Sequence, residues 1–290
     1  MQLHLLDGTY ELFRAHFGQP SRRSPSGQQV QGVYGLITST LGLLQEPAVT
    51  HVGAAFDTVI ESFRNELYPG YKTGAGVPAE LFAQFPLAEQ AMEALGVVTW
   101  GMVRYEADDA LAAAVSRYRG SFSRTVILSP DKDLAQLVDG DIVVAYDRMR
   151  RRWLDEAAVV DKFGVHPPSI PDYLALVGDS ADGFPGIAGW GAKSTAAVLQ
   201  RYQCIDRVPL DAGLWTVAVR GAQRLASNLA TGLSDALLFR YLATLRAEVP
   251  LAEDAADLRW QGAHAGPFEE LCIELGFPEL TDRVTRWAAL

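Results

Sequence analysis

YEADDALAAAV (residues 105–115) sets three carboxylates, Glu106, Asp108 and Asp109, directly ahead of an apolar run. This is a helix start, because acidic side chains suit the positive end of the helix dipole. Taken alone, it reads as N-terminal charge on an ordinary helix. Its company points further. Acids recur at Asp7, Asp57, Asp131, Asp133, Asp179 and Asp182, most of them just after an apolar run. The pattern suggests a carboxylate cluster that holds divalent metal, with EADD as its hub.

Composition narrows the classes. At 290 residues and 49% hydrophobic content, the chain can build one large core or two ordinary ones. No stretch approaches the ~20 uninterrupted apolar residues of a membrane span. MQLHLLDGTY (1–10) lacks the basic flank and long apolar core of a signal peptide. Cys204 and Cys272 make neither a metal-ligand spacing nor a disulfide framework, which fits a reducing cytoplasm. Five scattered histidines argue against a His-based zinc site. The net charge of −10 argues at face value against a nucleic-acid partner. Nine of the 35 acids belong to the suggested cluster, however, and leaving those nine out of −10 brings the balance to −1. Bound divalent ions would neutralise that field locally.

In chain order, LHLL (3–6) reads as a buried strand closed by the turn Asp7-Gly8-Thr9, and YELFRAHF (10–17) as a helix. A Pro/Ser/Gly loop (18–29) carries Arg22 and Arg23, and a long helix follows over 30–44. HVGAAF (51–56) is a second strand, again closed by an acid, Asp57. Residues 63–81 read as irregular and mobile, 81–96 as helix and 97–101 as strand. The hub helix covers 106–120, and TVILS (125–129) is a strand ending at Asp131 and Asp133. DLAQLV is one short helical turn, and 141–146 is another strand. Strands alternating with helices indicate an α/β domain with a mostly parallel sheet flanked by helices. Parallel strands line their C-terminal ends along one rim, where ligands bind. Acids far apart in sequence therefore converge there.

From about Pro167 the strand signal ends. Residues 169–202 read as helix, acidic turn, Gly-rich turn and helix, and 212–249 as helical throughout. A boundary near 165 separates a domain over 1–165 from a helical one over 166–290, whose last segment (267–287) packs back as one or two helices. The Gly-rich turn GIAGWGAKST (186–195) is not a Walker A loop, since Ala192 separates Gly191 from Lys193. It is not a dinucleotide fingerprint either, because no strand precedes it. What remains is a hairpin between two helices, exposing backbone N–H groups to a nucleic-acid phosphate, or a plain interhelical turn. LLDGT (5–9) with GDSAD (178–182) also raises a haloacid dehalogenase-like phosphatase, but Leu5 occupies the nucleophile's position.

The chain resembles the 5′ nuclease family of flap endonucleases and the 5′→3′ exonuclease domain of bacterial DNA polymerase I. The matching stretches are LLDGT (5–9), AAFDT (54–58), FRNELYPGYK (63–72), YEADDALA (105–112), SPDKDLAQLV (129–138), DYLALVGDSADGFPGIAGWGAKSTA (172–196) and RGAQRLASNLA (220–230). They fall in family order over roughly residues 1–250, and FEELCIELGF (268–277) is similar to the end of the polymerase-linked nuclease. No polymerase sequence follows, so the expectation is a stand-alone enzyme. The resemblance implies a PIN-like α/β nuclease domain and a helix–hairpin–helix DNA-binding domain.

It also implies two metal sites. Asp7, Asp57, Glu106 and Asp108 would hold the first, and Asp109, Asp131, Asp133 and Asp182 the second, with Asp179 in support. Hard oxygen ligands select Mg²⁺ or Mn²⁺. Two such ions ~3.5–4 Å apart clamp a scissile phosphate without a protein general base; the expectation is two ions, or three, with a K⁺ ion at the hairpin. Lys72 would offset transition-state charge and Tyr71 would stack on a base. Arg14 would touch phosphate. Gly186, Gly189, Gly191, Lys193 and Ser194 would grip the duplex. The expected partner is DNA with a free 5′ end or flap, or an RNA-containing 5′ strand, acted on by a cytoplasmic monomer in replication and repair. One departure stands out. The arch implied after Lys72 should be basic, yet residues 73–103 contain no Lys or Arg.

Overall fold

The computed structural model describes residues 1–289. In chain order the first elements are β1 (Gln2–Asp7), α1 (Gly8–Gly18), α2 (Gln31–Leu44), β2 (His51–Asp57), α3 (Phe63–Leu67), α4 (Ala79–Phe82) and α5 (Phe85–Ala94). There follow β3 (Val98–Met102), α6 (Ala107–Arg117), β4 (Arg124–Leu128), β5 (Val143–Asp147), β6 (Arg152–Leu154) and α7 (Glu156–Phe163). The rest is helical: α8 (Ile170–Val177), α9 (Ala192–Tyr202), α10 (Ala222–Thr231), α11 (Leu233–Ala243) and α12 (Ala265–Leu275). No helix among the described residues is long and apolar enough to cross a membrane.

These elements form two compact units, each drawn from separate stretches: residues 1–62, 74–129 and 247–289 in the first, 63–73 and 130–246 in the second. The first contains four parallel strands in the order β3-β2-β1-β4. β1 is almost wholly buried, as expected of a parallel strand covered on both faces. Asp7 pairs with Ala55 across the register, so Asp7 and Asp57 end neighbouring strands on the same rim. Gly8 is required here, since a Cβ would lie 2.3 Å from the Phe56 ring. The Thr9 hydroxyl then accepts the Asp57 backbone N–H at 2.7 Å, tying the two strand ends together.

The C-terminal stretch belongs to this unit through specific contacts. Trp260 Nε1 donates to the Leu95 carbonyl at 2.8 Å, His264 N–H to the Ala94 carbonyl at 2.9 Å, and Phe277 meets Tyr34 edge-on. Cys272 is fully buried on α12, and burial, with the charge of Glu279, pushes its thiol up to about 12. Ellman's reagent at pH 8 is therefore expected to titrate at most one thiol, Cys204, in the native protein and both after unfolding.

The second unit pairs β5 antiparallel with β6, Asp147 opposite Arg152, and continues with α7–α11. The mixed α/β class with mostly parallel strands is as the alternation implied. Two local expectations fail. Residues 63–81 are not uniformly irregular: α3 and α4 lie at their two ends. α3 is fixed by Arg64, 1% exposed, whose guanidinium donates to the carbonyls of Leu242 (2.7 Å) and Thr244 (3.2 Å) at the end of α11. Residues 212–249 are not helical throughout, because α10 starts only at Ala222 and Gly232 breaks it from α11. β6 and α7, between Arg152 and Phe163, escaped the sequence reading.

Candidate metal centre and nucleic-acid interface

In the first unit, the acids are placed by helix starts. Asp7 is the N-cap of α1: Oδ1 accepts the Tyr10 N–H at 2.9 Å, and Oδ2 accepts the Ser129 hydroxyl at 2.8 Å. Asp57 Oδ1 accepts the Ala107 N–H at 2.8 Å, docking the end of β2 on the start of α6. Glu106 is the N-cap of α6, and its Oε1 accepts the Ser62 hydroxyl at 2.7 Å. Asp108, one residue into the helix, is half-buried. Asp109 is fully buried and its Oδ2 accepts the Glu106 N–H at 3.0 Å, closing a capping box. The hub therefore works first as a structural cap; Ser62 orients Glu106, and Ser129 orients Asp7. Neither serine was singled out from sequence, although Ser129 opens the quoted SPDKD stretch.

In the second unit, Asp133, Asp179 and Asp182 bring ligand-type oxygens within 4.8 Å of one another, all three buried. Asp133 Oδ1 and Asp179 Oδ2 are buried with no hydrogen-bond partner among the described residues. Burial, and then the charges of Asp131, Asp182 and Asp179, raise the Asp133 carboxyl well above the usual range. Orphaned oxygens that repel one another are what a hard divalent cation would satisfy, so the residues fit such an ion. Asp131, exposed, accepts the Asp133 N–H at 2.9 Å and shapes the turn.

Lys132 stands between Asp131 and Asp133 in the quoted SPDKD stretch and was not singled out from sequence. Its ammonium lies 2.6 Å from Asp179 Oδ1. Burial opposes its charge, yet that hydrogen bond and the charges of Asp179, Asp133 and Asp131 hold its pKa above the ordinary value. Lys132 thus partly balances the acids and leaves Asp179 Oδ2 for another partner.

Lys72 is brought to the same turn by backbone. Its N–H donates to the Asp182 carbonyl at 3.0 Å, and Nζ lies 3.2 Å from Asp182 Oδ1. Asn65 Nδ2 holds the Lys72 carbonyl at 2.9 Å. Tyr71 does not offer an open stacking platform: it is 3% exposed and packs in the core of this unit, beneath Lys72. Its apolar ring gains more from that core than from solvent. Gly183 (φ +87°) allows the close approach, because a Cβ there would sit 2.0 Å from the Gly70 carbonyl oxygen. Gly183→Ala is expected to cost about 2 kcal/mol or more in urea unfolding, from strain and backbone overlap together.

The hairpin lies between α8 and α9. Gly186 (φ +73°) is dictated by packing, since a Cβ would fall 2.4 Å from the Gly178 nitrogen. Gly189 and Gly191 are exposed, as is Lys193. The Ser194 hydroxyl accepts the Gly191 N–H and donates to its carbonyl, capping α9. Gly189, Gly191, Lys193, Ser194 and Arg220 line an open groove of about 540 Å³, and Arg220 is a cation the sequence reading passed over. Arg14, in the first unit, spends its guanidinium on Glu11 and Ser39.

Carboxylate-rimmed parallel strands in one unit, and a second acid set beside a helical hairpin in the other, define a class of metal-binding α/β proteins with a helical nucleic-acid-type module. The chain belongs to the 5′-3′ exonuclease family. That family's N-terminal resolvase-like domain matches residues 2–164, and its C-terminal SAM fold matches residues 165–265. A 5′-3′ exonuclease of Aquifex aeolicus is 31% identical over 207 residues, covering 71% of each chain. DNA polymerase I of Mycobacterium leprae is 33% identical over 289 residues, 97% of this chain and 31% of that protein. The chain thus spans about a third of the length of the polymerase relatives it matches. Among solved structures, the T5 D15 protein co-crystallized with metal ions has a TM-score of 0.71 at 16% identity, covering 98% and 99% of the two chains. The catalytic core of Rad2 in complex with DNA substrate has a TM-score of 0.63 at 14% identity, covering 97% and 90%. At such identities the likeness is one of fold.

Proposed function

We propose that this protein is a structure-specific 5′ nuclease that hydrolyses DNA phosphodiesters at free 5′ ends or flaps, in replication or repair. The observation that carries the reading is the buried trio Asp133, Asp179 and Asp182, with two orphaned oxygens, in a chain of the 5′-3′ exonuclease family. Asp7, Asp57, Glu106 and Asp108 would hold one Mg²⁺ or Mn²⁺ ion; Asp131, Asp133, Asp179 and Asp182 would hold a second. A third ion is a variant of the same proposal. When bound, such ions activate water and stabilise the leaving oxygen. The chain's own residues do the rest. The capping bonds of Asp7, Asp57 and Glu106 fix carboxylate positions before any ligand arrives. Lys72 presents an ammonium beside Asp182 and would face the charge that grows on a reacting phosphate.

The hairpin groove with Lys193 and Arg220 would take the backbone of the duplex. A K⁺ ion there is supported by the Ile187 and Ala188 carbonyls, each of which accepts one hydrogen bond and keeps a second lone pair. Action on an RNA-containing 5′ strand, a monomeric state and a cytoplasmic location complete the proposal. The phosphatase reading is dropped, because Leu5 is fully buried and supplies no nucleophile. A 5′-flap duplex labelled at its 5′ end is the test: with Mn²⁺, the wild-type chain should release a short product and Asp131→Ala should not. Equal cleavage by both proteins, or by neither, would sink the reading; flap binding without cleavage by either would leave a non-catalytic DNA-binding module.

A further inference from the structure

The implied arch, residues 73–103, carries no cationic side chain to hold a nucleic-acid strand. The chain does concentrate positive charge elsewhere: RMRRR (148–152) places four arginines in five residues of a protein whose net charge is −10. The fold sets this run on the hairpin between β5 and β6, in the second unit. Arg150, Arg151 and Arg152 are exposed. Asp147 pins the turn, accepting the Arg150 N–H and its guanidinium, both at 2.9 Å.

Three further features single the hairpin out. Trp153 is 50% exposed and lies against Tyr146, ring centroids 4.4 Å apart and planes 34° from parallel. An exposed indole backed by a second ring is a surface on which a base can stack. Arg151 has φ +52°, the left-handed region where glycine or asparagine is the ordinary choice at a hairpin turn. An arginine kept there at a cost in strain points to a use for its charge. Finally, α7 brings Lys162 into the field of the hairpin. Burial first lowers its pKa; Asp131 and Asp147 pull it back up, and Arg152 and Arg150 lower it further, so Lys162 feels the hairpin arginines and Asp131 alike. A surface solvated for solubility alone would not need an exposed Trp on top of an aligned Tyr, nor a strained arginine.

We propose that the β5–β6 hairpin is a binding surface for single-stranded nucleic acid, with Arg150, Arg151, Arg152 and Lys162 on successive phosphates and Trp153 stacked on a base. It would hold the unpaired part of the substrate strand that leads to the acids, taking over the grip that residues 73–103 lack. The assignment rests on the proposed nuclease function for its biological sense, and its test does not depend on cleavage.

Fluorescence anisotropy of fluorescein-labelled oligothymidine in Ca²⁺ reads the binding directly. Arg150→Gln with Arg152→Gln should weaken binding about tenfold at low salt and reduce the slope of log K against log salt by about 1.4, or ~0.7 per lost phosphate contact. Trp153→Ala should weaken it about tenfold, with most of the loss restored by Trp153→Phe. Arg151→Gly should raise the melting temperature by about 2 °C while weakening binding severalfold, a split that a purely structural turn would not show. Arg207→Gln, an exposed arginine outside the hairpin, should bind as wild type does. Unchanged affinity in the hairpin variants, no binding by the wild-type chain, or equal losses on blunt duplex and single strand would overturn the assignment. Flap cleavage with unchanged hairpin variants overturns it while leaving the nuclease reading intact; hairpin-dependent binding without any cleavage does the reverse.

Discussion

Asp133→Asn is expected to stabilise the metal-free protein and to abolish its stabilisation by Mn²⁺. Asp133 is buried with Asp179 and Asp182, their oxygens within 4.8 Å, and Lys132 on Asp179 and Lys72 on Asp182 offset part of their charge. Removing one charge from such a group relieves about 2 kcal/mol of repulsion at an effective dielectric near 20, after allowance for the two lysines. That corresponds to a rise of about 4–8 °C in melting temperature in EDTA. The wild-type chain should gain about 2.7 kcal/mol from Mn²⁺ at a hundred times its Kd, and the variant far less. Flap cleavage should fall about a thousandfold, equivalent to ~4 kcal/mol of lost transition-state stabilisation. Differential scanning fluorimetry with and without Mn²⁺ separates the two effects. A variant destabilised in EDTA would show that the carboxylate is held by favourable contacts and is not a strained ligand.

Arg64→Ala should be the most damaging single change outside the acids. The guanidinium is almost fully buried, bonded to two carbonyls at the end of α11 and set over the Phe63 ring at 4.7 Å. Truncation leaves the Leu242 and Thr244 carbonyls without this donor and opens a cavity, costing about 3–5 kcal/mol. Cations also suit helix C-termini, which adds to the loss. Arg64→Lys rescues only in part, because one ammonium on a shorter reach does not reproduce a fork that spans two carbonyls. Since Arg64 anchors the stretch that carries Lys72, cleavage should lose kcat while Mn²⁺ affinity stays near wild type. Urea unfolding gives the first number and a metal titration the second; a variant as stable as wild type would contradict the anchor.

The acid positions were legible because strand ends and helix starts leave strong local marks. LHLL before Asp7, HVGAAF before Asp57 and EADD before an alanine-rich run each state their own structure. The parallel sheet followed from the alternation of elements, since parallel strands need a crossover between them. The hairpin glycines were visible for the same reason, although Gly186 turned out to serve the approach of Gly178 and not an open surface.

Other features depend on partners distant in sequence. FRNELYPGYK looked irregular because its fixing contacts lie some 180 residues away, at Leu242 and Thr244. The burial of Tyr71 and the placing of Lys72 on the Asp182 carbonyl come from the same docking. Asp109 was expected as a metal ligand from the family resemblance, and only the fold showed one of its oxygens committed to the Glu106 N–H. RMRRRW was passed over in the sequence, and it stands out as a surface only where β5 and β6 pair and set Trp153 against Tyr146.

By itself the sequence determined the class of fold, the nine acids and the family pattern they belong to, because these are written in periodicity and in short local motifs. The tertiary structure alone decided which carboxylate oxygens are already bonded and which are orphaned, and how the Lys72 stretch is held. Those properties arise from burial and long-range hydrogen bonding, and no local stretch of chain encodes them.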